Sequence, residues 1–354
     1  MPPKVVVAMS GGVDSSVAAY LLKKQGYEVI GVTMQVWPQP EDRAGACCSL
    51  DAVNDARRVA WKLEIPHYVM NFRDEFEQKV IQYFCREYLI GRTPNPCIAC
   101  NRYIKFESLL HKSLAMGAEY IATGHYARIV KNDAANQWML LTGADDRKDQ
   151  SYALYQMDEF QLGHTLFPLG EYTKPETRKL ARQAELPVAE KAESQEICFI
   201  DTSYADFIHK HLGVTPQTGM FRWSNGQNLG AHRGIHNYTV GQRKGLGLNL
   251  GHPVYVTGID ADTQTVWIGE NSELFKSTLW AGEVHYIGEP FSTPQTVTAK
   301  IRYQAHRVPA TATPQPNNRI KIDFDTPQRA ITPGQAVVFY SGDQVLGGGI
   351  IDNE

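Results

Sequence analysis

Lys4-Val5-Val6-Val7-Ala8-Met9-Ser10-Gly11-Gly12-Val13-Asp14-Ser15-Ser16 is an apolar run, a glycine pair and the start of a helix, in that order. Residues 4–9 have the pattern of a short buried strand. Residues 15–25 place Val17, Ala18, Leu21 and Leu22 on one helical face, with Gly26 as the stop. Gly11 and Gly12 let the backbone approach a phosphate closely, and the helix offers free N–H groups and its positive dipole end. Ser10, Ser15 and Ser16 add hydroxyl donors, while the acidic Asp14 suits Mg²⁺ better than phosphate. The lysine-bearing Walker A pattern is absent.

Working outward, strands are expected at 28–34, 67–71 and 120–123 and helices at 51–63, 75–88 and 104–116. Strands separated by helices predict a doubly wound α/β domain with a parallel sheet. Residues 127–201 read as irregular, with a helix at 175–183 that opens on proline. Beyond Ser203 short alternating segments at 252–259, 265–269, 296–303, 319–324 and 335–340 predict β-rich modules. The expected domains are 1–203, a catalytic α/β unit; 204–272, a small β-rich unit; and 273–354, a C-terminal β-barrel.

A chain of 354 residues exceeds one compact core, and 43% hydrophobic with 21% charged residues is an ordinary soluble composition. No apolar run approaches the ~20 residues of a membrane helix, and Met1-Pro2-Pro3-Lys4 does not begin a signal peptide, so a cytoplasmic, monomeric protein is expected. A net charge of −3 argues against a globally basic nucleic-acid binder. Any RNA surface must be a local patch, for which Arg86, Arg92, Arg102, Lys105 and Lys112 are candidates against only Glu87 and Glu107.

The six cysteines do not form a secreted disulfide scaffold. Cys97-x-x-Cys100 lies in Gly91-Arg92-Thr93-Pro94-Asn95-Pro96-Cys97-Ile98-Ala99-Cys100-Asn101, whose prolines and asparagines read as a loop. The pair fits a redox couple, half a zinc site or part of an Fe–S site; with no second such motif, a four-cysteine zinc site is disfavoured. Cys198, in an apolar context, reads as a core thiol, as do Cys85, Cys47 and Cys48. His232 and His236 read as loop histidines rather than a metal pair, and residues 242–247 (QRKGLG) as a basic or structural turn.

The phosphate loop resembles the PP-loop of the ATP pyrophosphatases. Together with residues 91–96 and 100–101, Ala122-Thr123-Gly124-His125-Tyr126, Lys148-Asp149-Gln150-Ser151-Tyr152, Ile197-Cys198-Phe199-Ile200, residues 241–247, 332–335 and 346–351, it makes the chain resemble the bacterial tRNA-specific 2-thiouridylases from end to end. The resemblance implies ATP with Mg²⁺ against Ala8, Met9, Ser10, Gly11, Gly12, Val13, Asp14 and Ser15, with Met34 and Gly124 near the adenosine. It implies adenylation of the C2 oxygen of the wobble uridine of tRNA. Sulfur then comes from a persulfide on Cys198, loaded by a sulfur-relay protein or cysteine desulfurase. Cys100 is the implied nucleophile, forming a transient disulfide with Cys198.

The resemblance further implies that Asn95, Pro96 and Cys97 surround the target base and that His125, Lys148, Asp149, Gln150, Arg302, Tyr303 and Gln335 touch tRNA. Arg307 is also chemically suited to phosphate. Many members carry aspartate, assigned as general acid/base, where this chain has Cys97. That departure makes Cys97, Cys100 and Cys198 a candidate [4Fe–4S] ligand set with one open iron. Two competing functions are a PP-loop amidotransferase or synthetase acting on a small molecule, which needs neither Cys100 nor Cys198, and a nucleotide-sensing or tRNA-binding protein that makes no AMP.

Overall fold

The computed structural model describes residues 1–37, 50–192, 197–200, 203–213 and 217–353; Cys47 and Cys48 lie outside them. Strand β1 (Lys4–Ala8) leads through the glycine loop into helix α1 (Val13–Lys24), then strand β2 (Glu28–Gln35), helix α2 (Leu50–Lys62) and strand β3 (His67–Asn71). After a long helical stretch the chain returns to the sheet as β4 (Tyr120–Ala122). A hairpin, β5 (Ala127–Asn132) and β6 (Gln137–Thr142), follows, and the short strand β7 (Thr165–Leu166) completes the parallel sheet in the order β3-β2-β1-β4-β7.

Buried strands of a parallel sheet carry apolar residues on both faces. Accordingly Val6 packs into one core with Phe76, Phe106 and Tyr152, while Val5 and Val7 pack into another with Val17, Leu21 and Leu22 of α1. From β1 the chain winds to β2 and β3 on one side and then crosses to β4 on the other. The C-terminal ends of β1 and β4 therefore flank a topological switch point, where open α/β sheets bind ligands.

The structure corrects the expected loop at 91–101. Pro96–Ala99 is helical and runs on into Cys100–Leu109 and Leu110–Ala115. Asn95 caps it by accepting from the Cys97 backbone N–H at 3.1 Å, and Pro96 sits in the first turn. The residues read as loop formers are helix starters, because proline tolerates the first turn and asparagine satisfies a free N–H there. Cys97 and Cys100 are thus three residues apart along one helix. A second correction concerns 127–201: the β5–β6 hairpin turns at Asn136, whose φ is +48°, and β6 borders the final strand Gln344–Asp352.

Phe275–Tyr286, Gln295–Lys300, Val308–Gln315, Arg319–Arg329, Ala336–Ser341 and Gln344–Asp352 form an antiparallel barrel, closed where its first and last strands pair. The central unit joins helix Tyr204–Leu212 to a sheet of Gly219–Trp223, Asn228–His232, Tyr255–Asp260 and Thr265–Gly269. Arg92, from the expected basic patch, is consumed in the interface between catalytic unit and barrel: its guanidinium donates to Glu87 at 2.7 Å, and to Asp352 and the Ile351 carbonyl.

His232 ends a strand and His236 lies in a 3₁₀ turn; both are buried. His236 shares a hydrogen bond with His209 of the helix Tyr204–Leu212. Burial, then the neighbouring His209 and His232, lower the His236 pKa from 6.5 to about 4. The unfolded chain therefore takes up this proton first, and stability present above pH ~6.5 is lost as pH falls toward ~4. His236→Gln is expected to flatten that acid decline; thermal melts across pH 4–7 with an unchanged slope would contradict it.

Candidate nucleotide and sulfur site

Helix α1 begins at Val13 with Gly12 as its cap residue, and no side chain caps it. Its first N–H groups point into the switch-point crevice with the positive end of the helix dipole. Ser16 Oγ donates to the Gly12 carbonyl at 2.7 Å, and Ser15 Oγ accepts from the Ser10 N–H at 3.2 Å, which fixes the loop. Gly11 has φ +68°, and a Cβ there would run into the Ala52 carbonyl. At Gly124, just past β4, a Cβ would lie 2.7 Å from the Ser15 nitrogen, so only glycine lets this segment lie flush on the start of α1. Ala8 and Met34 are partly buried, and Met9 and Val13 are buried, at the ends of the strands and helix that frame the crevice.

Asp14 projects from the first turn of α1. Its carboxylate accepts from Lys174 Nζ at 2.6 and 2.8 Å and from the Tyr126 hydroxyl at 2.8 Å. Lys174 is 8% exposed and lies 160 residues along the chain, so spacing alone gave no sign of the pair. A signal did exist. Lys174 occupies the first position of the helix Lys174–Gln183, where the dipole disfavours a cation unless a partner holds it. A second clamp holds the glycine loop from behind: Lys191 Nζ donates to the Gly11 carbonyl at 3.0 Å and to Asp55. Burial pushes the Asp55 pKa up, but hydrogen bonds from Lys191 and Arg58 outweigh it and leave the carboxyl below its usual range. Hydroxyls, free N–H groups, one ammonium and one carboxylate form a donor set that fits a polyphosphate and its divalent cation.

The residues expected to touch tRNA divide into two groups. His125 is buried between Phe106 and Phe167, its Nδ1 hydrogen-bonded to Thr123 Oγ1 at 2.7 Å. Burial, and then Lys105, hold its pKa well below 6.5, so it is neutral. Asp149 accepts from the Gly143 and Ser151 N–H groups at 3.1 Å and from the Ser151 hydroxyl. Gln150 accepts from the Tyr126 N–H at 3.0 Å, and Gln335 donates to the Thr93 carbonyl at 2.7 Å. In contrast, Arg302, Tyr303 and Arg307 are exposed on the barrel, and Lys148 is partly exposed. Lys300 sits over the Tyr152 and Tyr303 rings.

Cys97 is exposed, whereas Cys100 and Cys198 are partly buried and pack against the same apolar core. Cys85 is fully buried, and burial pushes its thiol up to about 12, an inert core residue as expected. Among the described residues, no three His, Cys, Asp or Glu side chains are gathered as a metal-holding set. Cys97, Cys100 and Cys198, thiols of the kind a [4Fe–4S] cluster takes, are thus not gathered into one such set among the described residues.

The family model described as tRNA methyl transferase HUP domain matches residues 3–202. The tRNA methyl transferase PRC-barrel domain matches 205–270, and the aminomethyltransferase beta-barrel domain matches 276–351. The tRNA-specific 2-thiouridylase MnmA of Clostridium perfringens is 53% identical over 99% of this chain and 98% of its own length. That of Acetivibrio thermocellus is 53% identical over 98% of this chain and 99% of its own. Clostridium beijerinckii has a relative of the same description, 52% identical over 100% of this chain and 99% of its own. With the catalytic unit matched throughout and relatives aligned from end to end, the chain belongs to the family of tRNA-specific 2-thiouridylases.

Proposed function

We propose that this chain is an ATP-dependent tRNA-uridine 2-sulfurtransferase that makes 2-thiouridine at the wobble position, with AMP and pyrophosphate as by-products. The observation that carries the reading is the Asp14–Lys174–Tyr126 cluster at the foot of an uncapped helix, in a family of thiouridylases. Methyl transfer, named in the family model, needs no ATP-splitting loop of this kind.

ATP lies with its phosphates over residues 10–15. The uridine C2 oxygen attacks the α-phosphorus, and pyrophosphate leaves. Lys174 neutralises charge on the departing oxygens once it exchanges Asp14 for phosphate, and Asp14 becomes available to Mg²⁺, which shields the polyphosphate when bound. The terminal sulfur of a Cys198 persulfide then attacks C2, and the oxygen leaves as part of AMP. Cys100 thiolate attacks Sγ of Cys198, which releases 2-thiouridine and leaves a Cys100–Cys198 disulfide for an external thiol to reduce. A sulfur-relay protein or cysteine desulfurase restores the persulfide.

Lys148, Arg302 and Arg307 suit tRNA phosphates, Tyr303 suits stacking, and Asn95, Pro96 and Cys97 frame the target base. His125, Asp149, Gln150 and Gln335, already engaged inside the protein, shape that surface rather than grip phosphate. A [4Fe–4S] cluster on Cys97, Cys100 and Cys198 is the competing sulfur route.

Anaerobically purified protein incubated with ATP, Mg²⁺, unmodified tRNA and a persulfide donor should yield 2-thiouridine by nucleoside mass analysis without bound iron. Thiolation that disappears when iron is removed would favour the cluster. ATP binding with no thiolated nucleoside under either condition would defeat the reading.

A further inference from the structure

The basic patch of residues 86–112 is only partly used by the fold. Arg92 is spent on Glu87 and Asp352, Lys112 pairs with Glu75 at 2.7 Å, and Lys105 donates to Asn101 at 2.9 Å. Arg86 and Arg102 remain, joined by Lys79, and among the described residues no hydrogen bond or ion pair engages any of the three side chains. All three line one cavity of about 180 Å³ between the catalytic unit and the barrel. Lys79 and Arg102 sit over the Tyr103 ring at 5.0 and 4.9 Å, which orients them without neutralising either charge.

The barrel contributes Glu283 to the same cavity. Glu283 is a non-glycine residue at φ +49°, and the register of its strand against Gln344–Asp352 shifts between Gly282 and His285. A bulge of this kind re-aims a side chain, and strained backbone is kept where the surroundings use it. The wall is completed by Asn95 and Gly334, the first framing the target base and the second preceding Gln335.

We infer that this cavity is a nucleotide subsite. It takes the phosphate and ribose of the tRNA nucleotide adjoining the target uridine, with Arg86, Arg102 and Lys79 on the phosphate and Glu283 accepting from a ribose hydroxyl. Three cations match a phosphodiester, and an acceptor beside them matches the 2′-hydroxyl that marks RNA. The volume is below the ~300–1,000 Å³ of a typical ligand pocket, which limits it to one such unit. The inference rests on the proposed tRNA function.

The test is the binding of the full-length protein to unmodified tRNA across a salt series. Arg86→Ala/Arg102→Ala should weaken binding about tenfold and make the log–log salt slope shallower by ~0.7 for each phosphate that is no longer neutralised. At saturating tRNA, turnover should stay near the wild-type value while KM rises. Arg86→Lys/Arg102→Lys, which keeps both charges, should restore the slope, and Glu283→Gln should reduce the preference for a ribose over a deoxyribose next to the target. Equal affinity and slope in the double alanine variant overturn the subsite while leaving the thiouridylase reading intact. Wild-type protein that binds no tRNA overturns both.

Discussion

Cys198→Ser and Cys100→Ser are each expected to reduce 2-thiouridine formation by about 10⁴-fold or more, because in the proposed mechanism each removes a sulfur that forms a covalent bond during transfer. The two variants should fail at different points. Without Cys198 no persulfide is carried, so tRNA is adenylated once: pyrophosphate appears as a single burst and AMP stays on the RNA. Without Cys100 the persulfide still attacks, AMP is released, and the tRNA remains joined to Cys198 through a disulfide that added dithiol cleaves. Both side chains are partly buried and pack against the same apolar core. Rapid quench with labelled ATP, followed by non-reducing gels, separates the outcomes. Full 2-thiouridine production by Cys198→Ser would mean that sulfur reaches the activated base without a Cys198 persulfide.

Asp14→Ala should lower adenylation about 10³-fold while tRNA affinity stays within about twofold of wild type. The carboxylate is the partner of the nearly buried Lys174 ammonium and of the Tyr126 hydroxyl. Its loss removes the only acidic group in the phosphate loop and leaves Lys174 to settle on the next nearest acceptor. The side chains proposed to face tRNA lie on other elements, the exposed Arg302 of the barrel among them, so they should not change. A pyrophosphate-release assay and a tRNA binding isotherm check the two halves. Weakened tRNA binding with normal adenylation would mean that the loop holds RNA rather than ATP.

The α/β core was legible because its signals are local and strong. The run 4–9 followed by two glycines can hardly be anything but strand and phosphate loop, and residues 67–71 and 265–269 match the strands His67–Asn71 and Thr265–Gly269. Residues 91–101 misled because proline and asparagine serve both loops and helix starts, and only the hydrogen bond from the Cys97 N–H to Asn95 decides between them. The hairpin at 127–142 is itself a local pairing of Ala127–Asn132 with Gln137–Thr142, whereas its joint to the barrel at Gln344, 203 positions past Leu141, is what no local pattern reveals. The site shows the same division. Asp14 was visible in its motif, whereas Lys174, Tyr126, Lys191 and Asp55 reach the loop from distant segments and acquire meaning only once the chain has folded.

Adenylation of the uridine oxygen itself is the step on which the whole reaction depends. The direct measurement is a single turnover on tRNA carrying ¹⁸O at the C2 oxygen of the target uridine, with mass analysis of the AMP and pyrophosphate released. One ¹⁸O atom is expected in the AMP phosphate and none in pyrophosphate or water. Label-free AMP formed alongside 2-thiouridine would contradict it.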